Sequence, residues 1–153
     1  MTQKSPALPT KFSGPGESPG FLLWKVSNAW QRRQRAALEP FGLTHSQFVV
    51  LAVATWFGEA EALTQARLSD LSGVDPMTTS QIVRALEERR LLKRDTHPID
   101  PRAKSITVES AGREKARVAL VAVEAADAEF FQPVSEDERQ LVGILTALLP
   151  RDS

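Results

Sequence analysis

The chain has no cysteine, only two histidines (His45 and His97) among 153 residues, and a formal charge that sums to zero. Without thiols there is no disulfide, no thiolate nucleophile and no thiol-based peroxide sensor. The two histidines lie far apart with no ligand-like spacing, so no zinc or other metal site is expected. No apolar run approaches the roughly 18–20 residues that cross a bilayer. The start lacks a secretory peptide's charged-then-apolar pattern, and a cytoplasmic location is expected. Nucleophile–base pairs, phosphate loops and carboxylate pairs in an evident cleft are missing too, so neither an enzyme nor a cofactor is expected.

What is present fits one globular unit. Apolar residues make up 42% and charged residues 25%, and the length suits a single domain with a real core. Zero net charge argues against coating nucleic acid by bulk charge, but the charges are segregated. Arg84 to Lys104 holds seven basic residues (84, 89, 90, 93, 94, 102, 104) against four acidic ones, whereas Glu124 to Glu138 holds six acidic residues and no basic one. A neutral sum thus hides a positive face.

Residues 1–17 carry three of the ten prolines with Gly14 and Gly16 and read as a flexible arm. Ser18-Pro19 opens a helix to about Leu38, ended by Pro40 and Gly42. Thr44 with Gln47 forms a capping-box pattern before a second helix that is apolar almost all round from Phe48 to Phe57. Such a helix must be covered on every side. Thr64 opens a third helix that Gly73 closes, and Asp75-Pro76 starts a fourth. Strands are expected at Leu92–Thr96 and Lys104–Glu109, with His97 to Ala103 as their loop. Ser110 is expected to cap a fifth helix reaching about Phe131, and after Pro133 a last helix starts over Ser135–Glu138.

The order from Thr64 to Val108 is that of a winged helix-turn-helix: helix, tight turn, a second helix opening with small hydroxyl residues, then a basic hairpin. Thr78, Thr79 and Ser80 let the backbone approach phosphates, where the positive helix end also favours anions. Gln81 can offer an amide to adenine, and Arg84 can reach guanine or a phosphate. Arg102 and Lys104 on the hairpin, with Arg94 at its base, suit a narrow minor groove, and Asp100 is placed to pair with Arg102 and orient it.

From Leu43 to Lys115 the chain resembles the multiple antibiotic resistance regulators, the MarR family of winged-helix repressors. The residues that carry the resemblance are Leu43-Thr44 with Gln47-Phe48, Leu68 to Leu71, Asp75-Pro76 leading into Ile82-Val83 and Leu86-Glu87, the wing Asp100-x-Arg102-Ala103, and Ala111-Gly112-Arg113. Three positions depart from it. Arg90 stands where the family usually has glycine, Val108-Glu109-Ser110 replaces a Leu-Thr pair, and Gln81 replaces a frequent arginine.

The resemblance implies a mainly α (α+β) fold over residues 18–149. A DNA-binding lobe, about 44–109, would carry a two- to three-stranded wing, and helices about 18–38 and 110–149 would form a dimerisation lobe. It also implies a homodimeric repressor on double-stranded DNA, reading a pseudo-palindromic operator with half-sites about 34–36 Å apart. The many leucines of the last helix agree with a partner surface. Family members often bind small aromatic or phenolic anions between the lobes and then leave DNA. The candidate walls here are Trp24, Asn28, His45 and Phe48, with Trp30, Trp56 and Phe57 as further contributors. The same aromatics at helical spacing serve equally as plain core. The alternative function is a winged-helix protein-interaction module that does not itself bind DNA, a reading kept open by the acidic stretch and zero net charge.

Overall fold

Side chains that accept otherwise unpaired amides set four of the helix starts. The computed structural model describes residues 7–151; of the arm expected over 1–17, residues 1–6 lie outside that range. The first α-helix, α1 (Pro19–Leu38), begins on Ser18, whose Oγ accepts from the Phe21 amide. Helix α2 (His45–Phe57) starts with a complete capping box, Thr44 Oγ1 accepting from the Gln47 amide at 3.2 Å and Gln47 Oε1 from the Thr44 amide at 3.1 Å. Thr64 caps α3 (Gln65–Ser72), which ends on Gly73 at φ +75°. Asp75 caps α4 (Pro76–Glu88), with Oδ1 2.9 Å from the Thr78 amide.

Two antiparallel strands follow, β1 (Leu92–Thr96) and β2 (Lys104–Val108), in a register running from Leu92 opposite Val108 to Thr96 opposite Lys104. The Ile106 amide also donates to the Leu63 carbonyl at 2.7 Å, which adds a one-residue third strand beside β2. Helix α5 (Ser110–Phe131) and helix α6 (Glu138–Leu148) complete the chain.

Two of the expected starts differ. Glu109, not Ser110, is the N-cap of α5: its amide is held by the Leu91 carbonyl at 2.9 Å and its own carbonyl takes the Arg113 amide. The last helix begins three residues later than expected. Pro133 sits in a 3₁₀ segment, Gln132–Asp137, where Val134 leaves helical geometry, so the Ser135 hydroxyl never reaches a capping position.

Helix α2 runs through the middle and packs against α1, α3, α4 and α5. Its Phe48, Val50, Leu51 and Ala54 are buried with Leu38, Leu63, Leu68, Leu86 and Leu92. Each fully buried leucine contributes about 1.5–3 kcal/mol, so this cluster dominates the lobe's stability. Cover on every side is not achieved, because Trp56 remains 81% exposed. At the other end of the core, α5 starts against β1 so closely that a methyl group at Gly112 would collide with the Leu91 carbonyl.

Helices α1 and α5 are joined by a polar node. Asp127 Oδ1 accepts from Trp30 Nε1 at 2.8 Å and from Gln34 Nε2 at 2.7 Å. Hydrogen bonds to an ionised group of this kind contribute about 1.5–3 kcal/mol. Apolar side chains of α1 (Phe21, Leu22, Trp24, Val26) and α6 (Val142, Leu145, Leu148) stay exposed.

Between α4 and β1 the chain turns through Arg90 at φ +58°. Left-handed backbone costs a residue with a β-carbon roughly 1–2 kcal/mol, and glycine escapes that cost while gaining unfolded-state freedom. Arg90→Gly is therefore expected to stabilise the fold by about 0.5–1 kcal/mol in urea unfolding; a lower midpoint would count against the strained link. Hydrogen bonds from Thr78, side chain and backbone, hold the Asp75 carboxyl below its ordinary range. A depressed folded-state value means that the cap stabilises above the ordinary carboxylate range and is lost as pH falls through that depressed value. Asp75→Asn, which caps without titrating, is expected to shed this part of the acid-side loss when melts at pH 7 and pH 3 are compared.

Candidate nucleic-acid interface

Helix α4 presents two faces whose chemistry differs. Met77, Gln81, Arg84 and Glu88, spaced four, three and four residues apart, form one exposed stripe, with Thr78 and Ser80 half-buried at its margin. Thr79, Ile82, Val83 and Leu86 form the buried stripe. Thr79 thus leaves the set of expected DNA contacts. Its hydroxyl points inward and donates to the Val74 carbonyl at 3.2 Å, the same oxygen that takes the Ser69 hydroxyl at 2.6 Å. Met77, 75% exposed, joins the outward face instead. A flexible apolar tip among polar neighbours can contact a thymine methyl group.

The hairpin is ordered by contacts that differ from those expected. Arg94 donates to both carboxylate oxygens of Glu87 at 2.9–3.3 Å, and the Arg94 amide reaches the same group. Hydrogen bonding from Arg94 holds the Glu87 carboxyl below its ordinary value. The Arg94 guanidinium thus fastens β1 to α4 while the residue stays exposed. Asp100 does orient the wing, but not through the Arg102 side chain. Its carboxylate accepts from the Arg102 backbone amide at 3.0 Å while its carbonyl takes the Ala103 amide at 3.1 Å. This tight turn leaves the Arg102 side chain exposed at the tip, with Lys104 exposed at the start of β2. His97 completes the loop: Nδ1 accepts from the Ile99 and Asp100 amides at 3.2 and 3.1 Å.

The four expected ligand walls do not converge on an open cavity. Phe48 is sealed in the core, and Trp24 is 67% exposed. Asn28 is occupied within its own helix, donating to the Trp24 carbonyl at 2.8 Å. His45 is half-buried, 2.7 Å from Gln31 Oε1 and edge-on to the Trp30 ring at 4.9 Å. Burial lowers its pKa, and the Asp127 charge pulls the other way. An open groove of about 390 Å³ lies elsewhere, between α2 and α5. Ala52, Thr55 and Trp56 form one wall, and Arg113, Ala116 and Leu120 the other. Among the described residues no cluster of three potential metal ligands occurs, and no helix is long and apolar enough to cross a membrane.

Comparison with known proteins agrees with this architecture. The model of the MarR family matches residues 43–104. An uncharacterized HTH-type transcriptional regulator of Bacillus subtilis, YdcH, is 39% identical over 136 residues, covering 88% of this chain and 92% of that protein. The HTH-type transcriptional repressor Rv2887 of Mycobacterium tuberculosis is 31% identical over 109 residues, covering 71% of this chain and 76% of that protein. Its structure in complex with DNA superposes with a TM-score of 0.67 at 28% identity, over 87% of this chain and 98% of that one. It has also been solved in complex with salicylic acid. CouR from Rhodococcus jostii RHA1, bound to p-coumaroyl-CoA, superposes with a TM-score of 0.79 at 27% identity, over 93% of this chain and 99% of that one. Helix order, hairpin and identity over most of the chain agree: the protein belongs to the MarR family of HTH-type transcriptional regulators.

Proposed function

We propose that this chain is a homodimeric repressor of a pseudo-palindromic operator, released from DNA by a small aromatic anion. The observation that carries the DNA-reading part is the outward stripe of α4, with Gln81 and Arg84 exposed, on a molecule whose hairpin tip leaves Arg102 exposed. Gln81 and Arg84 read base edges in the major groove, Met77 packs on a thymine methyl, and Thr78 and Ser80 meet the backbone. Arg102 enters the adjacent minor groove, where the negative potential is concentrated, and Lys104 supports it from the strand. The solved complex of Rv2887 with DNA supports this assignment.

The dimer rests on apolar surface left open on α1 and α6, from Phe21 to Val26 and from Val142 to Leu148. Contiguous apolar surface of this extent is costly for a solitary subunit. A two-fold assembly through it places two α4 helices on successive major grooves, about 34–36 Å apart.

The effector is assigned to the α2–α5 groove in place of the walls expected from the sequence. Trp56 offers an aromatic face and Arg113 a cation, which together suit a planar carboxylate. The salicylic acid complex of Rv2887 and the p-coumaroyl-CoA complex of CouR support that ligand class. Binding there wedges α2 against α5 and shifts the populations of lobe arrangements away from the one that spans both half-sites.

Three experiments test these assignments. In mobility shifts across a salt series, Arg102→Ala is expected to weaken binding to all sequences and to lower the salt slope by about one per subunit. In selection from a random DNA pool, Gln81→Ala is expected to lose about 1–3 kcal/mol of discrimination at one base pair per half-site. Unchanged preference removes Gln81 from base reading, and no shift by the parent leaves the interaction-module reading instead. For the effector, salicylate is expected to release the parent from DNA but not Trp56→Ala, whose DNA affinity stays at the parent's level. Equal release of both proteins would move the effector out of the groove.

A further inference from the structure

We infer that Arg89 is a positioning residue that fixes the tilt of the recognition helix α4 and thereby the half-site spacing that the dimer accepts. The inference rests on the DNA-reading, dimeric function proposed above. Arg89 is the C-cap of α4, at the opposite end from Met77, Thr78 and Ser80. Its guanidinium crosses to the elbow between α1 and α2. Nη1 donates to the Gly42 carbonyl at 2.7 Å, and Nη2 reaches the Phe41 carbonyl at 3.4 Å. Lys115 of α5 donates to the same Phe41 carbonyl at 3.3 Å.

The elbow is built to receive them. A 3₁₀ turn over Glu39–Phe41 ends on Gly42 at φ +64°, which leaves the Phe41 and Gly42 carbonyls without a following helical turn to pair them. Helix ends of this kind attract cations, and a guanidinium fork can serve two successive carbonyls at once. Space there is also limited: a β-carbon at Gly42 would stand 3.4 Å from Arg89 Nη2. One side chain therefore joins the trailing end of α4 to the segment that leads out of α1, the helix assigned to the dimer surface.

Leverage makes this joint matter more than its strength. The hydrogen bonds are solvent-exposed, so water replaces them at little cost in stability. Thirteen residues make α4 about 20 Å long, so a tilt of about 10° at the Arg89 end moves the DNA-reading end by about 3.5 Å. That displacement is about one base-pair step. A loosened joint thus changes which spacing of half-sites both helices reach together, while each helix keeps its own reading face.

The test uses the full chain and an operator obtained by selection, rebuilt with the centre-to-centre spacing varied by one and two base pairs. The parent is expected to prefer one spacing by at least about tenfold in affinity over its neighbours, and Arg89→Ala to flatten that preference to within about threefold. Arg89→Lys, which keeps one donor to the elbow, is expected to restore part of it. Base preference within a half-site and the melting temperature are expected to stay at the parent's values. Where the alanine variant melts early, Arg89→Gln carries the same expectation. A spacing profile identical to the parent's overturns the inference, as does an equal loss of affinity at every spacing, which marks a simple phosphate contact. A parent that binds no selected DNA overturns the DNA-reading function and this inference with it.

Discussion

A single carbonyl holds the reading unit together. The Val74 oxygen, in the turn between α3 and α4, takes one hydroxyl from each helix, Ser69 at 2.6 Å and Thr79 at 3.2 Å. Carbonyl oxygens have two acceptor sites, and here both are filled by groups of the helices that the turn must orient. Asp75 and Pro76 then start α4 from this pinned turn. An unmet hydroxyl at either place would be buried without a partner, a loss of about 1–3 kcal/mol, so the turn resists partial opening.

Much of the architecture was legible because it is written in short-range chemistry. Thr44 with Gln47, Asp75 with Pro76, Gly73 after a periodic run and the alternation of β2 each act within a few residues, and all produced the expected element. Thr79 was misplaced although its spacing to Ile82, Val83 and Leu86 is that of a buried stripe; its polar side chain concealed the periodicity. Glu87 with Arg94 needed the hairpin to bring two residues together across a bend. Gln34 and Asp127 needed the whole fold, being 93 residues apart in sequence. Trp56 was equally opaque, because an aromatic in an apolar run reads the same whether it faces the core or an open groove.

The two lobes are joined by contrasting materials. Around α2 the joint is apolar and close-packed. Between α1 and α5 it is polar: Asp127 accepts from Trp30 and from the fully buried Gln34, whose Oε1 has no hydrogen-bond partner among the described residues. The half-buried His45, whose neutral form is favoured by burial, stands next to it against Trp30. The α1–α5 contact is thus polar at its centre, whereas the contacts of α2 are apolar.

Helix α5 also gives the neutral chain an electrical direction. It leaves the basic hairpin at Ser110 and ends at Phe131, inside the run of carboxylates from Glu124 to Glu138. At 22 residues it spans about 33 Å, several Debye lengths at physiological salt. The hairpin's cations thus stand about 33 Å along α5 from a carboxylate run that is answered locally by α1, whose Arg33 lies 3.7 Å from Glu129.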